Sequence, residues 1–267
     1  MTYFTIEPPS ILKNYVRFYW VLESDAPQYS HRSMADVCPE LIFHYKGRFD
    51  ESNADGSRQK SYTSGFHGQT DKVHWYHINR SFGIFGVYLY PYAMQSLFDI
   101  PAIELTDQQP SLFELLGREG SDLEEHMFGC ANNQDRFATI NAYLGKKLIK
   151  NAIRPEPIAA AVQKILNSKG NIQINLLSKH FCLSERQFER NFKKMAGLTP
   201  KSFSKIVRFH AAFFDCISSS KKSLTEIALE NGYYDQSHFI QDAKALSGIK
   251  PKELISGNAA GLEWVKN

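Results

Sequence analysis

A spaced set of residues near the end of this 267-residue chain occurs twice. Phe188, Lys193, Gly197, Pro200 and Lys201 return 51 positions later as Phe239, Lys244, Gly248, Pro251 and Lys252, and Leu198 is answered by Ile249. Farther upstream the spacing is 50, pairing Leu177 with Ile227 and Leu183 with Tyr233, which implies one residue inserted at the start of the second copy's last helix. Such a duplication commits the region to two related units. Two copies with unlike surfaces are too few for an extended solenoid, whose repeats stabilise one another by stacking.

Each copy reads as a short amphipathic helix, a tight turn, a second helix and then G-x-x-P. In the second copy Ser223-Leu224-Thr225-Glu226 forms a capping box, Ile227-Ala228 supplies an apolar face with a small residue, and Gly232 suits a left-handed turn before a helix starting near Asp235. In the first copy Leu177-Ser178 fills the apolar-plus-small place, Ser184 with Gln187 caps the second helix, and Phe188 and Phe192 form its buried edge. This is helix-turn-helix spacing. The pattern alone leaves two readings open, a DNA-binding domain and a helical module that binds another protein.

Charge bears on that choice. Residues 155–254 hold 15 Lys+Arg against 9 Asp+Glu, a surplus of +6, while the rest of the chain stands at −3. A basic C-terminal part suits an acidic partner such as nucleic acid. Arg154-Pro155-Glu156-Pro157 interrupts any helix arriving there and favours a domain boundary near residues 150–155, giving domains 1–150 and 151–267. With 43% hydrophobic and 22% charged residues, both parts have the means to build cores, which excludes a disordered tail protein.

Residues 1–150 read as mixed α/β. A helix-period stretch (Leu12, Tyr15, Val16, Tyr19, Trp20) precedes short apolar or alternating runs at 41–43, 73–78 and 84–90, separated by loops such as 50–56. That pattern favours a small antiparallel barrel or sandwich. Helices are then expected at Tyr92–Phe98, after Ser111, from the box-like Ser121-Asp122-Leu123-Glu124, and through Phe137–Lys150. The four cysteines (Cys38, Cys130, Cys182, Cys216) lack the spacing of a disulfide scaffold or a zinc site, and no leader or spanning segment is evident, so a cytoplasmic chain without a membrane partner is expected. His67, His74, Trp75, Tyr76 and His77 cluster with other aromatics, as in a small-molecule pocket or a Tyr/Phe-rich core. His74 and His77, three apart, face opposite sides of a strand, and no metal or cofactor is expected. No catalytic motif stands out; Cys38 with His44 is the one pair a thiol-based or metal-dependent enzyme would use.

The segments LSERQFERNFKKMAGLTP, VRFHAAF and LTEIALENGYYDQSHF followed by SGIKP resemble the DNA-binding domain of AraC/XylS-type bacterial transcriptional regulators. The N-terminal part more weakly resembles the cupin-like β domain of some of these regulators, through VCPELIFHY, GVYLYPYAM, IPAIELTD and SLFELLG. The resemblance implies two helix-turn-helix units, about 172–196 and 223–247, on a linker helix of about 200–218 whose Arg208 ties them together. It implies promoter DNA as partner, a small-molecule effector or a homodimer through the N-terminal domain, and RNA polymerase if the chain activates. With Phe188 and Phe192 turned inward, the first recognition helix offers Ser184, Arg186, Gln187, Arg190, Asn191 and Lys194 to DNA; the second offers Gln236, Ser237, His238, Gln241 and Lys244. Lys201, Lys205 and Lys221-Lys222 are candidates for phosphate contacts. The sequence departs from the family pattern at Gln241, where Arg is frequent, at Ala243, where Phe is usual, and at Cys182, which replaces a turn Gly.

Overall fold

The computed structural model describes residues 1–52, 57–151, 157–218 and 222–255. Its first part is a sandwich of two antiparallel sheets that does not close into a barrel. The larger sheet has the order β1-β2-β9-β4-β7, built from Thr2–Ile6 (β1), Val16–Ser24 (β2), Glu40–Lys46 (β4), Ser64–His67 (β7) and Phe82–Leu89 (β9). The smaller has the order β3-β8-β5-β6, from Tyr29–Ser33, His74–Ile78, Asp50–Ser52 and Arg58–Lys60 respectively.

Side chains alternate across the larger sheet. Tyr19, Val21, Leu41, Phe43, Phe85 and Val87 point to one face and join the main core. Helices α2 (Arg118–Gly129) and α3 (Asn133–Lys150) cover that face, with Tyr19 edge-on to Phe137 at 5.1 Å. The intervening residues turn toward the smaller sheet, where Leu22, Ile42, Ile84 and Phe82 pack against Phe49, Tyr76 and Ile78 in a second core.

Several sequence expectations need correction. The stretch 12–20 is no helix: Leu12 and Tyr15 are buried in a turn and β2 begins at Val16. Both faces of β2 are covered, so apolar residues fall on both and imitate a helical period. Residues 50–52 form a strand rather than a loop, and 53–56 lie outside the described residues. Ser121 lies inside α2, because α1 (Leu112–Leu116, capped by the Ser111–Glu114 box) ends on Gly117 at φ +61° and α2 restarts at once. The helix expected at 92–98 shrinks to Met94–Phe98 and stops on Asp99 in the left-handed region.

Most of the boundary expected near 150–155 also lies outside the described residues, since 152–156 are not described. After it come α4 (Pro157–Asn167), α5 (Ile174–His180), α6 (Glu185–Ala196), α7 (Pro200–Ser218), α8 (Leu224–Glu230), α9 (Gln236–Ser247) and α10 (Pro251–Ile255). Helix α7 is the spine, with Phe203, Ile206, Phe209, Ala212 and Phe213 buried against both helix pairs. Capping boxes Ser184–Gln187 and Ser223–Glu226 start α6 and α8 as the sequence suggests. The inserted residue is Tyr234, 88% exposed in the turn just ahead of the Asp235 cap rather than within α9. Cys182 stands at φ +54°, equivalent to Gly232 at +75°, a conformation that costs a residue with a Cβ about 1 kcal/mol. Among the described residues no helix is long and apolar enough to cross a membrane.

Candidate functional site

Helices α6 and α9 are the second helices of the two duplicated units. On α6 the buried edge is Phe188, Phe192, Met195 and Ala196, which leaves Ser184, Arg186, Gln187, Arg190 and Lys194 exposed and Asn191 partly so. On α9 the edge is Phe239, Ala243 and Leu246, with Ser237, Gln241 and Lys244 exposed. Two residues of the second set are held within the protein. Gln236 accepts a hydrogen bond from Thr225 Oγ1 on α8 at 3.0 Å, and His238 is edge-on to Tyr233 at 5.1 Å. Lys205 pairs with the buried Asp242 of α9 at 3.1 Å, and Lys222 with Glu230. Lys221 lies outside the described residues. Arg208 stacks its guanidinium over Tyr233, 4.8 Å from the ring centroid, while its Cβ backs on Gly170 ahead of α5, so it touches both units.

The N-terminal domain grips both recognition helices at equivalent places. At the end of α6, the Gly197 carbonyl accepts from Thr106 Oγ1 at 2.9 Å, and Gln69 packs so tightly on Gly197 that a Cβ there would lie 1.6 Å from its Nε2. At the end of α9, the Leu246 carbonyl accepts from Ala35 N at 2.8 Å, and Gly248 faces Val73. The Ala35 carbonyl in turn accepts from His210 Nε2 of α7 at 2.7 Å, which fixes that ring's tautomer. One short segment, 33–37, is thereby bonded to the linker helix and to the second recognition helix.

The same segment lines a cavity of about 420 Å³ between the two sheets, a volume suited to a small organic molecule. Its wall is the inner face of the large sheet: Phe18, Trp20 and Leu22 from β2, Glu40, Ile42 and His44 from β4, Ile84 and Tyr88 from β9. Gly86 sits opposite Trp20, whose ring a Cβ would meet at 2.0 Å, so the glycine makes room for the indole. Leu166 of α4, Lys169 in the turn after it, and Val207, His210 and Phe214 of α7 complete the wall. Both domains therefore bound the space.

Of the residues suspected from the aromatic cluster, His67 and Tyr76 reach the cavity. His74 instead bonds Glu51 Oε1 at 2.6 Å and His77 bonds Ser30 Oγ at 2.7 Å. Among the described residues no group of three His, Cys, Asp or Glu side chains is placed to hold a metal. Burial pushes the His44 and His31 rings down to about 4 and His67 to about 3, so all three are neutral near pH 7. Cys38 and His44 do not act together. Cys38 Sγ is bonded by Arg17 at 3.4 Å and burial pushes its thiol up to about 11, opposite to what a nucleophile needs, while His44 packs on Phe49 and Tyr62. Sequence reasoning missed Phe18, Trp20 and Glu40, although their alternation in 18/20/22 and 40/42/44 carried the signal.

Comparison with known proteins gives a match of residues 177–256 to a family described as a helix-turn-helix domain, and of residues 4–111 to a domain of unknown function. The HTH-type transcriptional regulator ArgR of Pseudomonas aeruginosa is 28% identical over 95 residues, which cover 34% of this chain and 29% of that protein. Among solved structures, ToxT from Vibrio cholerae O395 aligns over 88% of this chain and 95% of its own at 12% identity and a TM-score of 0.47. A transcriptional regulator from Chromobacterium violaceum with an AraC-type DNA-binding domain aligns over 39% of this chain and 92% of its own at 24% identity and a TM-score of 0.35. With its duplicated helix pairs, shared linker helix and family match over residues 177–256, the C-terminal part of this chain is a helix-turn-helix domain.

Proposed function

We propose that the chain is a sequence-specific transcriptional regulator of two domains, 1–150 and 151–267, whose α6 and α9 read promoter DNA and whose cavity receives a small-molecule effector. The observation that carries this reading is the shared cavity wall: a ligand there touches α4 and α7 as well as the β domain, and segment 33–37 leads from it to α9. An effector acts on DNA binding only through unequal affinity for two arrangements, and a space bounded by both domains meets that condition. Arg186 and Arg190 have the donors to read guanine, and Asn191 and Gln241 the paired donor and acceptor to read adenine, while Gln187, its Oε1 taken up by the Ser184 cap, keeps its amide N–H groups for DNA. Ser184, Lys194, Ser237 and Lys244 suit phosphates, and Gln236 and His238 stand at the edge of the second surface. Pairing of two copies through residues 1–150, and contact with RNA polymerase at activated promoters, belong to the same reading.

Selection of bound sequences from random duplex DNA by the full chain, at two salt concentrations, tests it. The expected product is an asymmetric site with two blocks about one turn, ~34 Å, apart, and loss of the first block in Arg190→Ala. Binding without enrichment that vanishes as salt rises would refute sequence reading and favour a protein-binding helical module.

A further inference from the structure

Within the reading of the cavity as an effector site, one side chain has no satisfied role. Glu40 lies in β4, in register with Tyr88 on one neighbouring strand and His67 on the other, and it lines the cavity. Its carboxyl accepts no hydrogen bond from the described residues and pairs with no cation among them. The charge that bears on it is the carboxylate of Asp36, which has its own sign. Tyr3, Tyr62 and Tyr76 also bear on it, and Tyr88 and the neutral His67 flank it in register; none of them is a cation. Arg17, the buried guanidinium in the same wall, is engaged by Cys38, and Lys169 reaches the cavity from the turn after α4.

A second, smaller cavity of about 50 Å³ shares Asp36, Glu40 and His67 with the first and adds Asp107, whose charge is met by Lys72 at 2.6 Å. Two independent orphans lie in the same wall: the buried Nδ1 of His44 and Nε2 of His67 have no partner among the described residues. Both rings are neutral, and a neutral imidazole nitrogen without a proton accepts a hydrogen bond. The remaining wall is aromatic, with Phe18, Trp20, Tyr76 and Tyr88 presenting ring surface. Carboxyl groups are costly to desolvate without a partner, and aromatic faces attract cations.

We propose that the cavity takes an organic cation, an amine or amidine borne on an apolar body, with Glu40 as its counter-ion. The ammonium or amidinium N–H groups donate to Glu40 and to the Nε2 of His67 beside it, while the body lies between Trp20 and Tyr76. Burial and Asp36 push the empty-site carboxyl up to about 8, so at pH 7 it is mainly the neutral acid. Cation binding makes the carboxylate and sets a proton free in solution: Glu40–COOH and R–NH3+ become the Glu40–COO−/R–NH3+ pair and H+. A neutral ligand releases none.

Calorimetric titration of the full chain with 2-phenylethylamine, 2-phenylethanol and 3-phenylpropionate at pH 7, in two buffers of different ionisation enthalpy, reads that proton directly. The amine should bind with release of most of one proton and should bind more tightly as pH rises from 6 to 8. Glu40→Gln should weaken the amine at least tenfold and abolish proton release, a far larger loss than any it causes for the alcohol. The wild-type proton count stands whether or not that variant folds. Equal binding of alcohol or carboxylate, indifferent to Glu40→Gln, would overturn the cationic class and leave the effector cavity standing. No binding by any of the three would count against the cavity as an effector site and remove this proposal with it.

Discussion

Gly197 answers two demands at once. It ends α6 at φ +76°, where a side chain is strained, and it admits Gln69 from the other domain at a distance no Cβ tolerates. Gly197→Ala should therefore destabilise the full chain by about 1–2 kcal/mol from backbone strain alone, with a further steric share. Adding Gln69→Ala should restore the steric share but not the strain, as read from denaturant midpoints of the two variants. If the double variant gains nothing over Gly197→Ala, the contact with Gln69 has no energetic weight. The sequence displays this glycine through its repeat at Gly248, and it displays the strain at Cys182. It does not display Gln69, because a contact between residues 128 positions apart in sequence leaves no local pattern.

The sheets show where the reading of elements works and where it fails. Strands β4, β8 and β9 are legible because β-branched and aromatic residues run between turn residues. Strand β2 misleads because it is apolar on both faces. The cavity wall is legible in hindsight as period-2 sets, yet nothing local tells a cavity-facing Trp20 from a core one. The histidines on three of these strands set a pH response. His31, His44 and His67 have folded values of about 4, 4 and 3 against 6.5 when free, so the stability from keeping them neutral is whole above about pH 6.5 and is lost as pH falls through 4 to 3. Glu40, raised from 4.5 to about 8, acts in the opposite sense: its contribution is whole below about pH 4.5 and is lost as pH rises through 8. The melting temperature of the full chain should rise from pH 4 to about 6.5 and then decline toward pH 8, and Glu40→Gln should remove the decline. A flat profile between pH 4 and 6.5 would show that the histidines are not buried as neutral rings.

At the scale of the molecule, the helix-turn-helix domain is the part most open to sequence reading, since duplication marks both units, their caps and their closing glycines. The join between domains is not open to it. Ala35, a small residue in the connection after Ser33, bonds both α7 and α9 through its own backbone groups, and backbone bonding carries no residue preference. Through that join the N-terminal domain holds the ends of both α6 and α9, and under the proposed function a ligand in the cavity acts on that setting. Preorganised readers bind one site more tightly than loosely tethered ones. The most direct test is the affinity of the full chain for its selected duplex and for an unrelated duplex, wild type against His210→Leu, which removes the bond to Ala35 without touching the DNA-facing surfaces. The account predicts a five- to tenfold loss for the selected duplex and no change for the unrelated one. Unchanged or improved affinity for the selected duplex would contradict it.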